Sequence, residues 1–123
     1  MVFFDVDHTI TRHSTGRRFA EYGRAQGLFH WYELLRFPLF YLRYRLGLVA
    51  TKTLRRQVAP VAGMTREQLE QVGQACFDAA IRPDMYQQAV DHIRELQQRG
   101  RTVALATTSL DILVIPLARH LGI

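Results

Sequence analysis

The stretch FFDVDHTIT, residues 3–11, sets two carboxylates, Asp5 and Asp7, two positions apart directly after an apolar run. Like charges that close raise each other's free energy unless something positive sits between them. Two carboxylates with hydroxyls nearby form a hard oxygen donor set that suits Mg²⁺. That ion takes one or two protein carboxylates and leaves its other positions to water and phosphate oxygens. A second group of oxygens, Thr107, Thr108 and Ser109, closes another apolar run, RTVALAT. Those hydroxyls, with the free N–H groups of the helix that follows, can hold a phosphoryl group that the cation neutralises. A carboxylate fixed beside the phosphorus can attack it and form an acyl phosphate. The second carboxylate can protonate the leaving oxygen and then activate water.

For this chemistry, residues about 100 positions apart must meet. MVFFDV reads as a short buried strand, apolar on both faces as in a parallel sheet. From Ser14 the pattern turns helical, with STGRRFAEYGRAQG carrying a hydroxyl cap at its start and glycine at its end. An aromatic stretch follows, broken at Pro38, and then a short helix over 49–58 that Pro60 ends. Thr65 and Gln68 form a capping-box pattern, and Leu69, Val72, Cys76 and Ala80 mark one helical stripe after it. RPD, residues 82–84, punctuates the chain. A helix from Met85 to Arg99 is expected next, with Ala89, Ile93 and Leu96 inward and Gly100 as its stop. RTVALAT is the second strand, and a last helix begins near Ser109 and ends at Gly122, with Pro116 inside it. A right-handed crossover through the Met85–Arg99 helix makes the strands parallel, with both carboxyl ends on one edge. Open α/β sheets bind their ligands at that edge.

The 123 residues, 48% apolar and 22% charged, suit one globular domain with a modest core. The net charge of +5 is carried by arginine almost alone, Lys52 being the sole lysine. The arginines are scattered and no groove-reading motif accompanies them, which argues against a nucleic-acid partner. Cys76 has no second cysteine to pair with and lies on the apolar stripe, so a buried, inert thiol is expected. Residues 28–50 are long and aromatic-rich, but Glu33, Arg36, Arg43 and Arg45 interrupt them. No uncharged stretch there approaches the roughly 20 residues of a spanning helix. No stable membrane insertion is expected, although a basic, aromatic helix of this kind can touch a membrane surface weakly. A helix packed within a helical subdomain is the plainer reading. Asp5 interrupts any signal-peptide pattern at the start, and a cytoplasmic location is expected.

DVDHT resembles the first motif, DxDxT, of the haloacid dehalogenase (HAD) superfamily, and VALAT resembles its second, an apolar strand ending in Ser or Thr. The phosphoserine-phosphatase-like subfamily IB is the nearest likeness, since it inserts a helical cap between these motifs. The resemblance implies an α/β fold, a HAD-like Rossmannoid parallel sheet, here partial, with an inserted α-helical C1-type cap. Residues 1–12 and 83–123 would form the core and 13–82 the cap. It implies a Mg²⁺-dependent phosphomonoester hydrolase with a small phosphorylated substrate. Asp5 would be the nucleophile and Asp7 the general acid/base, both serving the metal, Asp7 through its backbone carbonyl. Thr9 would brace the phosphate loop and Thr107 would hydrogen-bond a phosphoryl oxygen, with Thr108 and Ser109 beside it. His8, where many members have glycine, is given no catalytic role.

The family also needs a lysine and an acidic pair that follow the second motif. Lys52 lies in the expected cap and Asp111 is too close to Thr107, so neither is a candidate. The chain is therefore expected to be a fragment of a longer protein, with little activity alone. A non-catalytic or truncated HAD-fold binding module, a phosphotransferase and a phospholipid-directed phosphatase are the alternatives. Arg12, Arg17, Arg18, Arg55 and Arg56 could meet an anionic leaving group, with a solvated surface role as the plainer reading. His13, His30, His92 and His120 have no ligand spacing and read as surface or cap residues.

Overall fold

Short apolar runs bracketed by polar residues form the two strands of the sheet, β1 (Val2–Phe4) and β2 (Val103–Leu105). They pair in parallel, with Val2 opposite Val103, Phe3 opposite Ala104 and Phe4 opposite Leu105. Val2 N donates to Thr102 O and Ala106 N to Phe4 O, each at 2.8 Å, so the ladder runs on past the strands and brings Asp5 level with Ala106. The computed structural model describes residues 1–28, 39, 42, 45–47 and 63–123. Most of the aromatic segment 28–50, the helix expected over 49–58, and His30, Lys52, Arg55 and Arg56 lie outside the described residues. No helix among the described residues is long and apolar enough to cross a membrane.

Two strands of three residues cannot stand alone, and among the described residues four helices support them. Helix α1 (Thr15–Ala25) starts where the Ser14 side chain accepts from Arg17 N, and Gly27, at φ +73°, turns the chain out of it. Helix α2 (Arg66–Cys76) has both halves of its capping box, Thr65 N donating to Gln68 Oε1 at 2.8 Å and Gln68 N to Thr65 Oγ1 at 3.2 Å. It continues into a π-helical turn, Phe77–Ile81, and a 3-10 turn, Arg82–Asp84. Helix α3 (Gln87–Gln98) and helix α4 (Asp111–Leu121) flank β2 in sequence. Helix α4 begins two residues later than the sequence suggests. Ser109 N donates to Thr107 Oγ1, and the Ser109 hydroxyl reaches Asp7, so Ser109 closes the loop rather than opening the helix.

One apolar core joins these elements. Phe19 of α1, Cys76, Phe77 and Ile81 after it, Val90 and Ile93 of α3, Val103 of β2 and Leu113, Leu117 and Leu121 of α4 belong to a single buried cluster. Residues of the 13–82 segment thus share their core with residues of 83–123. The expectation of a strand buried on both faces does not hold for β1. Phe4 packs on the core, its ring 6.0 Å from His92 of α3 and tilted 67°, whereas Phe3 is 65% exposed. Side chains alternate along a strand, and no described element covers the face that Phe3 takes.

Helices α2 and α4 approach closely at Gly73 of α2. A Cβ there would lie 2.2 Å from the carbonyl oxygen of Ile112 in α4. Pro116, four residues after Ile112, has no N–H for that carbonyl. The carbonyl that loses its helical donor is therefore the one that faces the glycine.

Two outcomes are expected. Gly73→Ala gains about 1 kcal/mol of helix propensity but forces the helices apart, which typically costs about 1–3 kcal/mol; a lowered denaturation midpoint is expected. The Cys76 thiol, fully buried, is pushed up to about 11 by burial from its ordinary 9.0. Between those values the unfolded chain binds fewer protons than the fold, so stability falls as pH rises through this window. Denaturation measured across it should show that slope in the native sequence and a flatter one in Cys76→Ala.

Candidate functional site

Beyond β1 the chain turns tightly around one carbonyl. Val6 O accepts from the N–H groups of Thr9, Ile10 and Thr11 at 3.3, 2.9 and 3.1 Å. The turn puts His8 at φ +62°, a left-handed conformation that side chains other than glycine seldom take. The His8 Nδ1 lies 2.9 Å from Arg12 O. Asp5 is exposed, and its Oδ1 accepts from Val6 N at 2.8 Å, which fixes the carboxylate and leaves Oδ2 without a partner among the described residues.

Asp7 is half-buried and held from two sides. Its Oδ1 accepts from Thr15 N at 2.8 Å and lies 2.9 Å from Thr15 Oγ1, while Oδ2 accepts from Ser109 Oγ at 3.1 Å. Thr15 Oγ1 and Ser109 Oγ are 2.8 Å apart, and Thr107 Oγ1 is 3.0 Å from Ser109 Oγ. One connected set of hydroxyls therefore joins the ends of β1 and β2 and the first turn of α1. Of the residues singled out in the sequence, Ser109 meets both Asp7 and Thr107, and Thr107 is joined to Asp7 through it. Asp5 stands beside them at the same sheet edge. Thr9 and Thr108 are exposed and make no side-chain hydrogen bond among the described residues.

Three residues were not legible as site residues. Thr15 is 1% exposed and gives Asp7 both its amide and its hydroxyl. Thr11, also 1% exposed, lies 2.7 Å from His13 O and 3.3 Å from Val6 O, and so braces the loop with a hydroxyl two positions beyond Thr9. Asp84, read in the sequence only as part of a turn, is buried. The signal in the sequence was weak: Thr15 directly follows a helix cap, and Asp84 follows Pro83.

Asp84 gathers Arg18 and His13. Its Oδ1 accepts from Arg18 Nη2 at 2.7 Å and lies 2.9 Å from His13 Nδ1, and its Oδ2 accepts from His13 N at 2.9 Å. Burial opposes ionisation of this carboxyl, but the hydrogen bonds from Arg18 and His13 outweigh it and hold the group well below the usual carboxylate range. Arg18 also reaches Glu21 at 2.9 Å through Nη1, and its Nε is buried without a partner among the described residues. Arg18 is thus neither a solvated arginine nor free for a substrate, and His13 is not a plain surface residue. Arg17 pairs with Glu21 on the surface, and the Arg12 guanidinium lies 5.3 Å from the centre of the Tyr86 ring. His92 is exposed near Glu95, and His120 rests against Phe77 with ring centres 5.6 Å apart.

Among the described residues no three His, Cys, Asp or Glu side chains stand together as a metal cage. The donor set suits a cation that draws most of its shell from water and substrate, since Asp5 keeps a free carboxylate oxygen at the open sheet edge.

The family model for haloacid dehalogenase-like hydrolases matches residues 2–123. Comparison with curated proteins gives no match. Among solved structures, the crystal structure of a protein with unknown function from Bordetella pertussis Tohama I superposes on the whole of this chain with a TM-score of 0.82 and 23% identity. The chain spans 56% of that protein, and the likeness establishes the fold: α/β, with a small parallel sheet flanked by helices.

Because the folded state holds Asp84 ionised more firmly than the unfolded chain does, its contribution is complete above the ordinary value of 3.8 and lost as pH falls below it. Thermal melts between about pH 5 and pH 2 should show a steep acid loss in the native sequence and a shallower one in Asp84→Asn.

Proposed function

The chain belongs to the haloacid dehalogenase-like hydrolase family, and from that membership we propose a Mg²⁺-dependent phosphomonoester hydrolase that works through an aspartyl phosphate on Asp5. The observation that carries the reading is the convergence at one sheet edge of Asp5, with a free carboxylate oxygen, and Asp7, tied to Ser109 across 102 residues. The substrate is a small phosphorylated molecule, and the phosphoserine-phosphatase-like subfamily is the nearest reading of its class. When bound, Mg²⁺ supplies positive charge that offsets the carboxylates and the phosphoryl oxygens, with Asp5 and Asp7 as its protein ligands.

The amide of Val6 orients Asp5 so that Oδ2 faces outward for attack on phosphorus. As the bond from Asp5 to phosphorus forms, the bond from phosphorus to the leaving oxygen breaks, and Asp7 gives that oxygen a proton. Asp7 then takes a proton from water, which attacks the phosphorus, releases inorganic phosphate and returns Asp5 to its carboxylate. Thr107 and Thr108 are the proposed partners of the phosphoryl oxygens. Thr15 and Ser109 keep Asp7 aimed.

The test is hydrolysis of p-nitrophenyl phosphate by the full-length gene product with Mg²⁺. Chelation should abolish turnover. Asp5→Asn should lower kcat by about 10³-fold or more, and Asp7→Asn by about 10²–10⁴-fold. Undiminished turnover in Asp5→Asn overturns the mechanism.

A further inference from the structure

The chain passes twice between the sheet edge and the segment that follows Ser14, once through residues 10–15 and once through 81–86. The two passages are tied together. Tyr86 N donates to Ile10 O at 2.8 Å and Arg12 N to Asp84 O at 2.9 Å, and Thr11 makes an antiparallel bridge with Met85. The Asp84 side chain closes the set by taking the amide of His13, the last residue before the Ser14 cap. Two residues on, Thr15 gives its amide and hydroxyl to Asp7 Oδ1.

From this geometry we infer that Asp84 is a positioning residue for Asp7, acting through the clamped segment His13–Ser14–Thr15. The inference rests on the reading of Asp7 as the acid/base. Asp84 touches neither Asp7 nor the open edge. Its carboxylate fixes where residue 13 sits, and with it the place and direction of the Thr15 amide. Arg18, on the first turns of α1, grips the same carboxylate and so ties the helix that Thr15 begins to the second passage. A purely structural carboxylate would hold two passages together without favouring any one hydrogen bond at Asp7. This one bears on the single short segment that supplies Thr15.

Amide hydrogen exchange by NMR reads this directly and needs no turnover. In Asp84→Ala the Thr15 amide should exchange faster by about tenfold or more, as it should in Asp7→Asn, while the Ile93 and Val103 amides keep their protection. Unchanged Thr15 protection in a folded Asp84→Ala overturns the inference. If Asp84→Ala loses protection everywhere, Arg18→Met takes its place. Selective loss at Thr15 then supports the clamp and unchanged protection there refutes it. With p-nitrophenyl phosphate, Asp84→Ala should lower kcat by about tenfold with KM little changed. A native protein that hydrolyses nothing would defeat the proposed reaction while leaving the exchange result to decide the clamp.

Discussion

The parallel pairing of β1 with β2 is the constraint on which everything else in this protein rests. Each strand is three residues long, and about a hundred residues separate them. Their ladder nevertheless fixes which oxygens meet. With Val2 level with Val103, Asp5 falls level with Ala106, and Asp7 and Ser109 come within hydrogen-bond reach across the edge. A slip of one residue would reverse every side chain on β1. It would carry Phe4 out of the core and break the meeting of Asp7 with Ser109. The hydroxyls around Asp7 thus act as a check on the register as well as a setting for the carboxylate.

The two acids at the end of β1 resolve into different situations although they stand two residues apart. Asp5 has one backbone donor and an open side, so its second oxygen is available to whatever approaches. Asp7 has donors on both oxygens and is turned towards the start of α1. Charge in the neighbourhood is divided in the same spirit. Arg18 of α1 and His13 just before it are drawn to Asp84, and a buried anion stripped of such partners is strongly destabilising. Arg18 is thereby engaged by acids other than Asp5 and Asp7.

Much of this could be read from the residues. The order of the described elements, the capping box at Thr65 and Gln68, the Ser14 cap and the burial of Cys76 follow from patterns with a local cause, and the parallel crossover brings Asp7 to the same edge as Thr107 and Ser109. What escaped depends on long-range geometry. Thr15 looks like any residue in the first turn of a helix, because its role is set by where β1 ends rather than by its neighbours. Asp84 looks like a turn residue, because only the fold brings His13 and Arg18 to it, 71 and 66 positions away. Arg18 was read as a surface charge for the same reason. The exposure of Phe3 is a further case: its apolar character implies burial, but a strand residue is buried only where something lies over its face.

The contact between Gly73 and the Ile112 carbonyl has a mechanical meaning. A helix that rests on its neighbour along a smooth ridge can slide by small steps, the shear motion by which many packed helices adjust. Here a notch with no side chain receives one backbone oxygen, and the residues one helical turn to either side, Leu69 and Cys76, have side chains that would have to pass over that oxygen for α2 to advance along α4. Translation is therefore blocked at this point while rotation about it is not. The crossing is a pivot. A swing of α2 relative to α4 about Gly73 grows in amplitude with distance along the helix, so it is largest at Arg66, where the exposed ion pair with Asp111 of α4 has to yield, and smallest near Cys76.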